Sequence, residues 1–449
     1  MRIRTQPQTK DTKSWWQRFE PAAERPQPDW SRELRKAALT EFRTSGLPTP
    51  HDEDWRLLEL SELDRLHLQP ASALDHAQLV HAQRAPRPLS LADTETLVFV
   101  NGQYVPDISS VAAHQPGLRL GSLAAALNAE PELVREHLGS VARPDTNGFI
   151  ALNTAAFLDG AFVYVPAGHA APRLIHLVFI CAGVEPGTVS LPRNLIVAGP
   201  GARVTVLETY LGYQAERYIT NAVTELVLGE ASQVEYCKVQ DEPAAAYHFG
   251  TVWARIGREC NFALHSIALG AGASRTDIRA ELAGEDINCQ FNGLYLTTGT
   301  QQTHHFMLVE HRAPRCTSRE IFNGILADRS TAVFHGRVHV HPGAVKTDAK
   351  QTNKNLLLSD SATAHSKPQL EIYADDVKCT HGATVGKLSD ESIFYLRSRG
   401  IGLETAQRML IQAFAGEVIE RIKTDPVRIE LDKALWDRLA QTQLAANRP

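Results

Sequence analysis

The spacing of hydrophobic residues changes period twice along this chain. Over residues 149–388 the apolar positions come in short β-rich runs bounded by Gly, Asp, Asn or Pro, and helical periodicity almost disappears. Before that stretch the spacing is helical. The run from Ser31 to Phe42 predicts a capped helix closed by Gly46 and Pro48, and a second begins near Asp52 with Trp55, Leu57, Leu58 and Leu60. Pro86 and Pro88 then interrupt the chain. LVFVNGQYV at residues 97–105 predicts a hairpin in which Asn101-Gly102 supplies the positive φ angles of a tight turn. Helical character returns over residues 123–138, and Trp15, Trp16 and Trp55 read as core or interface anchors. After Leu388 the period is again 3.6: Ser389-Asp-Glu-Ser is an N-cap, and Arg399-Gly400 is a stop. Residues 403–423 then place Ala406, Met409, Leu410, Ala413, Phe414, Val418 and Ile422 on one stripe. Leu431, Leu435, Trp436 and Leu439 begin a short last helix. Three regions are expected: a mainly helical 1–148 with a short hairpin, a β core over 149–388, and a helical 389–449.

The β core repeats. AGPGARVTV at residue 198, LGEASQVEY at 228, IGRECNFAL at 256 and AGEDINCQF at 283 each place a glycine turn before a strand. A weaker copy, LADRSTAVF, starts at 326, and the strands rhyme through Phe291-Asn-Gly, Phe322-Asn-Gly and Phe334-His-Gly. One turn-plus-strand unit cannot cover its own apolar face but its neighbours can, so such units stack into a solenoid. The pattern predicts a mainly β protein with a parallel β-helix of two strands per rung. A jelly roll or cupin-like barrel is the rival topology for the same strand content.

Composition narrows the functions. The 449 residues are 43% hydrophobic and 22% charged, enough for a multi-part globular protein. A net charge of -5 gives no electrostatic reason to expect a nucleic acid as partner. No apolar run reaches the length of a membrane span and the first residues lack an apolar signal core, so a cytoplasmic protein without a membrane partner is expected. The cysteines at 181, 237, 260, 289, 316 and 379 are dispersed and never form C-x-x-C, which predicts buried reduced thiols, not a zinc ribbon or disulfide framework. There is no phosphate loop, nucleophile elbow or dinucleotide fingerprint, so ATP or flavin would enter through a partner or an unfamiliar pocket.

Candidate chemistry concentrates in PQLEIYADDVKCTHGATVGKL at residues 368–388, where Cys379 and His381 stand two residues apart. On an extended strand they share a face, with Glu371, Tyr373 and Asp375 in the same row if no bulge intervenes; Leu370, Ile372 and Ala374 then face the core. Two ligands fall short of the usual four of a structural metal site, so the row reads as half of one. In FHGRVHVHP at 334, His335, Arg337, His339 and His341 form a polar face. His339-x-His341 resembles the paired ligands of a cupin, and a metal-dependent cupin-like or β-helical enzyme is the alternative reading. In a solenoid the same row faces outward, and Arg337 among the histidines repels a cation. His304-His305 and His311 are weaker ligand candidates, because adjacent strand residues point to opposite faces. Asp375-Asp376 has the composition of a polysaccharide-cleaving pair, but the two side chains diverge for the same reason.

Residues 347–401, TDAKQTNKNLLLSDSATAHSKPQLEIYADDVKCTHGATVGKLSDESIFYLRSRGI, resemble the C-terminal signature of the SufB/SufD family of iron-sulfur cluster assembly proteins. Gly46-Leu-Pro, Glu53-Asp-Trp55, FVNGQYV, Leu152-Asn153 and Asp159-Gly160 extend the resemblance over most of the chain. It is similar to the SufD branch: where SufB proteins continue His-Glu-Ala-Thr, this chain has His381-Gly382-Ala383-Thr384, and it lacks the cysteine-rich segment before it. The resemblance implies a right-handed parallel β-helix flanked by helical domains, and a scaffold subunit that is not an enzyme. It implies pairing with SufB through the solenoid and binding of the ATPase SufC through the C-terminal helices, where Met409, Leu410, Phe414 and Val418 are the expected docking residues. A nascent iron-sulfur cluster would form at the SufB/SufD interface, with His381 as a transient ligand and Cys379 beside it. ATP would act only through SufC, and the family is compatible with a reduced flavin on the assembled complex. Neighbouring cations or bound iron would raise the thiolate fraction of Cys379.

Overall fold

The repeat closes into a β-solenoid whose successive strands alternate between two parallel sheets. The computed structural model describes residues 12–24, 28–85, 89, 91–112, 117–214 and 216–441; Pro86 and Pro88 lie outside them. Among these residues one sheet has eleven strands and the other ten, and each long strand pairs in parallel with the strand one turn before and one turn after it. Two residues before seven of the ten strands of the second sheet stands a left-handed residue: Gly201, Ala231, Glu259, Asp286, Arg315, Lys346 and Asp376, with φ between 52° and 67°. Asp376 is therefore a turn residue, which explains half of the adjacent Asp pair.

The repeat glycines do a different job. At Gly284 a Cβ would lie 2.3 Å from the backbone nitrogen of Arg258, so glycine is required there by the close approach of neighbouring turns. LADRSTAVF belongs to the other sheet: Asp328 (φ 54°) precedes the strand Thr331–Val340. Inside the solenoid, aromatic rings stack from turn to turn, as in Phe99–Phe179 at 4.8 Å and Phe179–Tyr210 at 4.9 Å.

The N-terminal helices differ in detail from their spacing. The first expected helix is Asp29–Ser45, closed by Gly46 at φ 66°, but the segment after Asp52 forms only the 3-10 turns Glu53–Trp55 and Leu63–Arg65. The helix Gly148–Ala156 occupies the start of the segment expected to be β. Every one of its residues is buried, so it has no polar face to give a 3.6-residue signature. Conversely, Thr94–Val100 of the hairpin pairs in parallel with Leu174–Cys181 and is already a solenoid strand. The junction between the two regions is polar and dry: Arg193 and Glu225 are fully buried 2.5 Å apart, and Glu225 also accepts from the backbone N–H of Gly139, Val141 and Ala142.

At the other end, Asp390–Ser398, Leu403–Ile419 and Asp425–Gln441 form three helices, the last 17 residues long and not short. The second and third lie on the outer face of the second sheet, with Ile411, Ala415, Val418, Ile419, Ile422, Leu431 and Leu435 packed against Leu207, Val239, Ile267, Leu294 and Ile325. The buried stripe is rotated from the expected one, since Met409 and Ala413 are exposed. Both faces of this helix carry apolar residues, so spacing alone does not choose between them.

Candidate functional site

The last strand, Lys378–Gly386, pairs with Asp348–Leu357 on one side and with no strand on the other among the described residues. Parallel register fixes what it presents. Val206, Tyr236, Leu264, Phe291, Glu320, Gln351 and His381 succeed one another in one column, and the first four belong to the apolar interior. The column therefore points into the solenoid, and His381 occupies its last place, where no further turn covers it. Its ring is exposed and makes no hydrogen bond or ion pair among the described residues.

Cys379 ends the adjacent inward column, after Cys289, Ser318 and Ala349. Its thiol is half-buried against Val338, Val340, Ala344 and Ala349. Burial, followed by the nearby carboxylates Asp348 and Glu320, pushes its pKa above that of an ordinary thiol. The other five cysteines are buried free thiols.

The expected single row is broken. Glu371 lies next to the end of the strand Thr363–Ile372 of the first sheet, and residues 373–377 turn the chain into the second sheet, so Glu371, Tyr373 and Asp375 do not share a strand face with Cys379 and His381. The sequence reading missed instead the two polar residues that precede His381 in its column. Gln351 Nε2 donates to Glu320 Oε2 at 2.5 Å, and full burial pushes the Glu320 carboxyl up to about 8, so it holds a proton at neutral pH. A charged residue two positions before Phe322 in an alternating strand was the available signal. Gly382 is not demanded by packing, since a Cβ there would meet open space.

The open end also exposes Ile372, Tyr373 and Val385. Of the expected docking residues, Val418 is fully buried against the solenoid and Phe414 packs beside it, Leu410 is half-buried, and Met409 is 40% exposed. Phe394 and Tyr395, 73% and 57% exposed, are apolar surface that spacing did not single out.

His339 and His341 lie on the outer face of the first sheet, not in a closed cavity, which removes the cupin reading along with its fold. Their rings stack 4.2 Å apart, and His341 Nε2 is 3.1 Å from Glu310 Oε1. His335 is buried instead, beneath Asp54 and hydrogen-bonded to Gln369. His304, His305 and His311 are also buried, and burial depresses their pKa values to about 3, 3 and 4.

Residues 179–414 match the model of the SufBD core domain of SUF-system iron-sulfur cluster assembly, and residues 9–177 match that of the SufBD N-terminal region. The chain belongs to the SufBD family. A SufBD family protein of Synechocystis sp. is 33% identical over 402 residues, covering 86% of each chain. The iron-sulfur cluster assembly protein SufD of Escherichia coli is 31% identical over 404 residues, covering 89% of this chain and 91% of that one. A chloroplastic SufBD family protein of Arabidopsis thaliana is 27% identical over 421 residues, 88% of this chain and 74% of that one. Within the SufBD core, Cys379 and His381 end two neighbouring inward columns at the uncovered end of the solenoid. No described helix of this SufBD protein is long and apolar enough to cross a membrane.

Proposed function

We propose that this SufBD protein is a SufD-like, non-enzymatic subunit whose open solenoid end pairs with a SufB-like paralogue, so that a nascent cluster forms at the shared seam beside His381. The observation that carries the reading is the uncovered last turn, which leaves His381 and an unpaired sheet edge together at the surface. An unpaired edge is a template for another chain's strand, and exposed Ile372, Tyr373 and Val385 add apolar area to the same end.

A SufC-like ATPase docks on the C-terminal helices through residues that the solenoid leaves exposed, with Phe394, Tyr395, Leu403 and Met409 replacing Val418 as contacts. ATP acts through that partner, whose closure would shear the two solenoids and open the seam. Iron and sulfide are cargo here, and reduced flavin would bind only the assembled complex. In co-expressed complex, His381→Ala is expected to leave assembly intact by size-exclusion chromatography while reducing bound iron and acid-labile sulfide. A normal cluster yield from the mutant complex would remove His381 from the site.

A further inference from the structure

On the outer face of the first sheet, Glu310, His339 and His341 bring one ligand atom each to within 4.8 Å of one another. Register explains the meeting. Glu310 of the strand Gln302–His311 stands directly beside His339 of the next turn, and His341 follows two residues on. His341 Nε2 and Glu310 Oε1 are 3.1 Å apart, close to the roughly 3.3 Å edge of a tetrahedron with metal–ligand bonds of about 2.0 Å. The side chains of Glu310, His339 and His341 are 18%, 27% and 29% exposed, so the group is partly desolvated yet reachable from solvent. Glu371 of the following turn lies 3.5 Å from His339 Nδ1, in the position of an outer carboxylate that orients a ligating ring.

The nearby arginines do not make the site cationic. Arg337 is engaged by Asp54 and Glu371, and Arg312 by Glu281 and Glu310, with Arg255 also on Glu281. Each of these three guanidinium groups is thus held by at least one carboxylate. Two imidazoles and one carboxylate with open coordination positions suit a borderline divalent ion such as Zn²⁺ or Fe²⁺.

We propose that this chain binds one divalent transition-metal ion through Glu310, His339 and His341, bridging adjacent turns at a site separate from His381. The site does not depend on the pairing proposed above, since all three ligands belong to one chain.

Isothermal titration of the full chain with Zn²⁺, and with Fe²⁺ under anaerobic conditions, is expected to show about one equivalent bound. Co²⁺ should give the visible bands of a low-coordinate ion. His339→Ala and His341→Ala should each weaken binding about tenfold or more, whereas His169→Ala, at an exposed imidazole outside both sites, should bind as the parent does. Zn²⁺ should raise the melting temperature of the parent but not of His339→Ala/His341→Ala. The milder His339→Gln serves if the alanine variants lose their far-UV circular dichroism. A parent chain that binds no metal overturns the proposal. So does binding that survives in the folded histidine variants.

Discussion

Glu320, Gln351 and His381 succeed one another in one inward column, and only the last meets solvent. A carboxyl pushed up to about 8 thus lies two turns below an exposed imidazole. It is a stability liability with a definite sign. The native pKa lies above the unfolded value of 4.5, so the favourable contribution is complete below about pH 4.5 and is lost as pH rises towards 8. The slope in that window is about 1.4 kcal/mol per pH unit. Glu320→Gln should flatten that part of the pH–stability curve, leaving the variant more stable than its parent at pH 8. Chemical denaturation across pH 5–8 reads this directly, and an unchanged slope would mean Glu320 is ionised in the native protein. Cys379, by contrast, is held as a thiol by burial and by Asp348, so its activation would have to come from what approaches the open end.

The three C-terminal helices divide into an anchored face and a free one. Leu431, Leu435 and Val418 seal the outer surface of the second sheet, so removing the helices would strip the solenoid of part of its core as well as any docking surface. Point substitutions separate these roles. Phe394→Ala and Met409→Ala should each change stability by no more than about 0.5 kcal/mol while weakening capture of a SufC-like ATPase in a pull-down. Capture that survives the double substitution would place the ATPase elsewhere. The last strands of the two sheets, Thr363–Ile372 and Lys378–Gly386, are both left without a further strand at that end among the described residues.

The two ends of the whole molecule are unlike. At the start, short antiparallel strands, Gln103–Tyr104 and Arg119–Ser122, terminate the two sheets and helices cover them; at the finish the turns stop uncovered. One end is closed by the chain itself and the other waits for a neighbour. The middle is rich in buried polar groups, and three of them set an acid limit. His304, His305 and His311 have native pKa values of about 3, 3 and 4, below the 6.5 of the free side chain. The unfolded chain therefore gains protons that the native one refuses as pH falls below 6.5, and each histidine removes about 1.4 kcal/mol per pH unit until its native pKa is reached. The melting temperature should fall steeply between pH 6.5 and 4, and His311→Gln, whose amide can keep the hydrogen bond with Ser318, should shift that decline to lower pH. A flat profile over that range would mean the histidines are solvated.

The repeat of turn and strand was enough to give a stacked solenoid, because parallel turns bury the same positions at each recurrence and leave that recurrence written in the chain. Cys379-x-His381 was equally legible, since alternation on one strand fixes which residues share a face. What alternation cannot supply is neighbourhood across turns. The partners of His381 in its column, Glu320 and Gln351, lie 61 and 30 positions earlier, and Glu310 meets His341 only because two turns stack in register. The helix Gly148–Ala156 was hidden by its own burial, which erased the polar face that periodicity needs. Local spacing thus determined the elements and one half-site. Stacking decided which turn ends uncovered, and so which of the chain's many inward residues reach solvent.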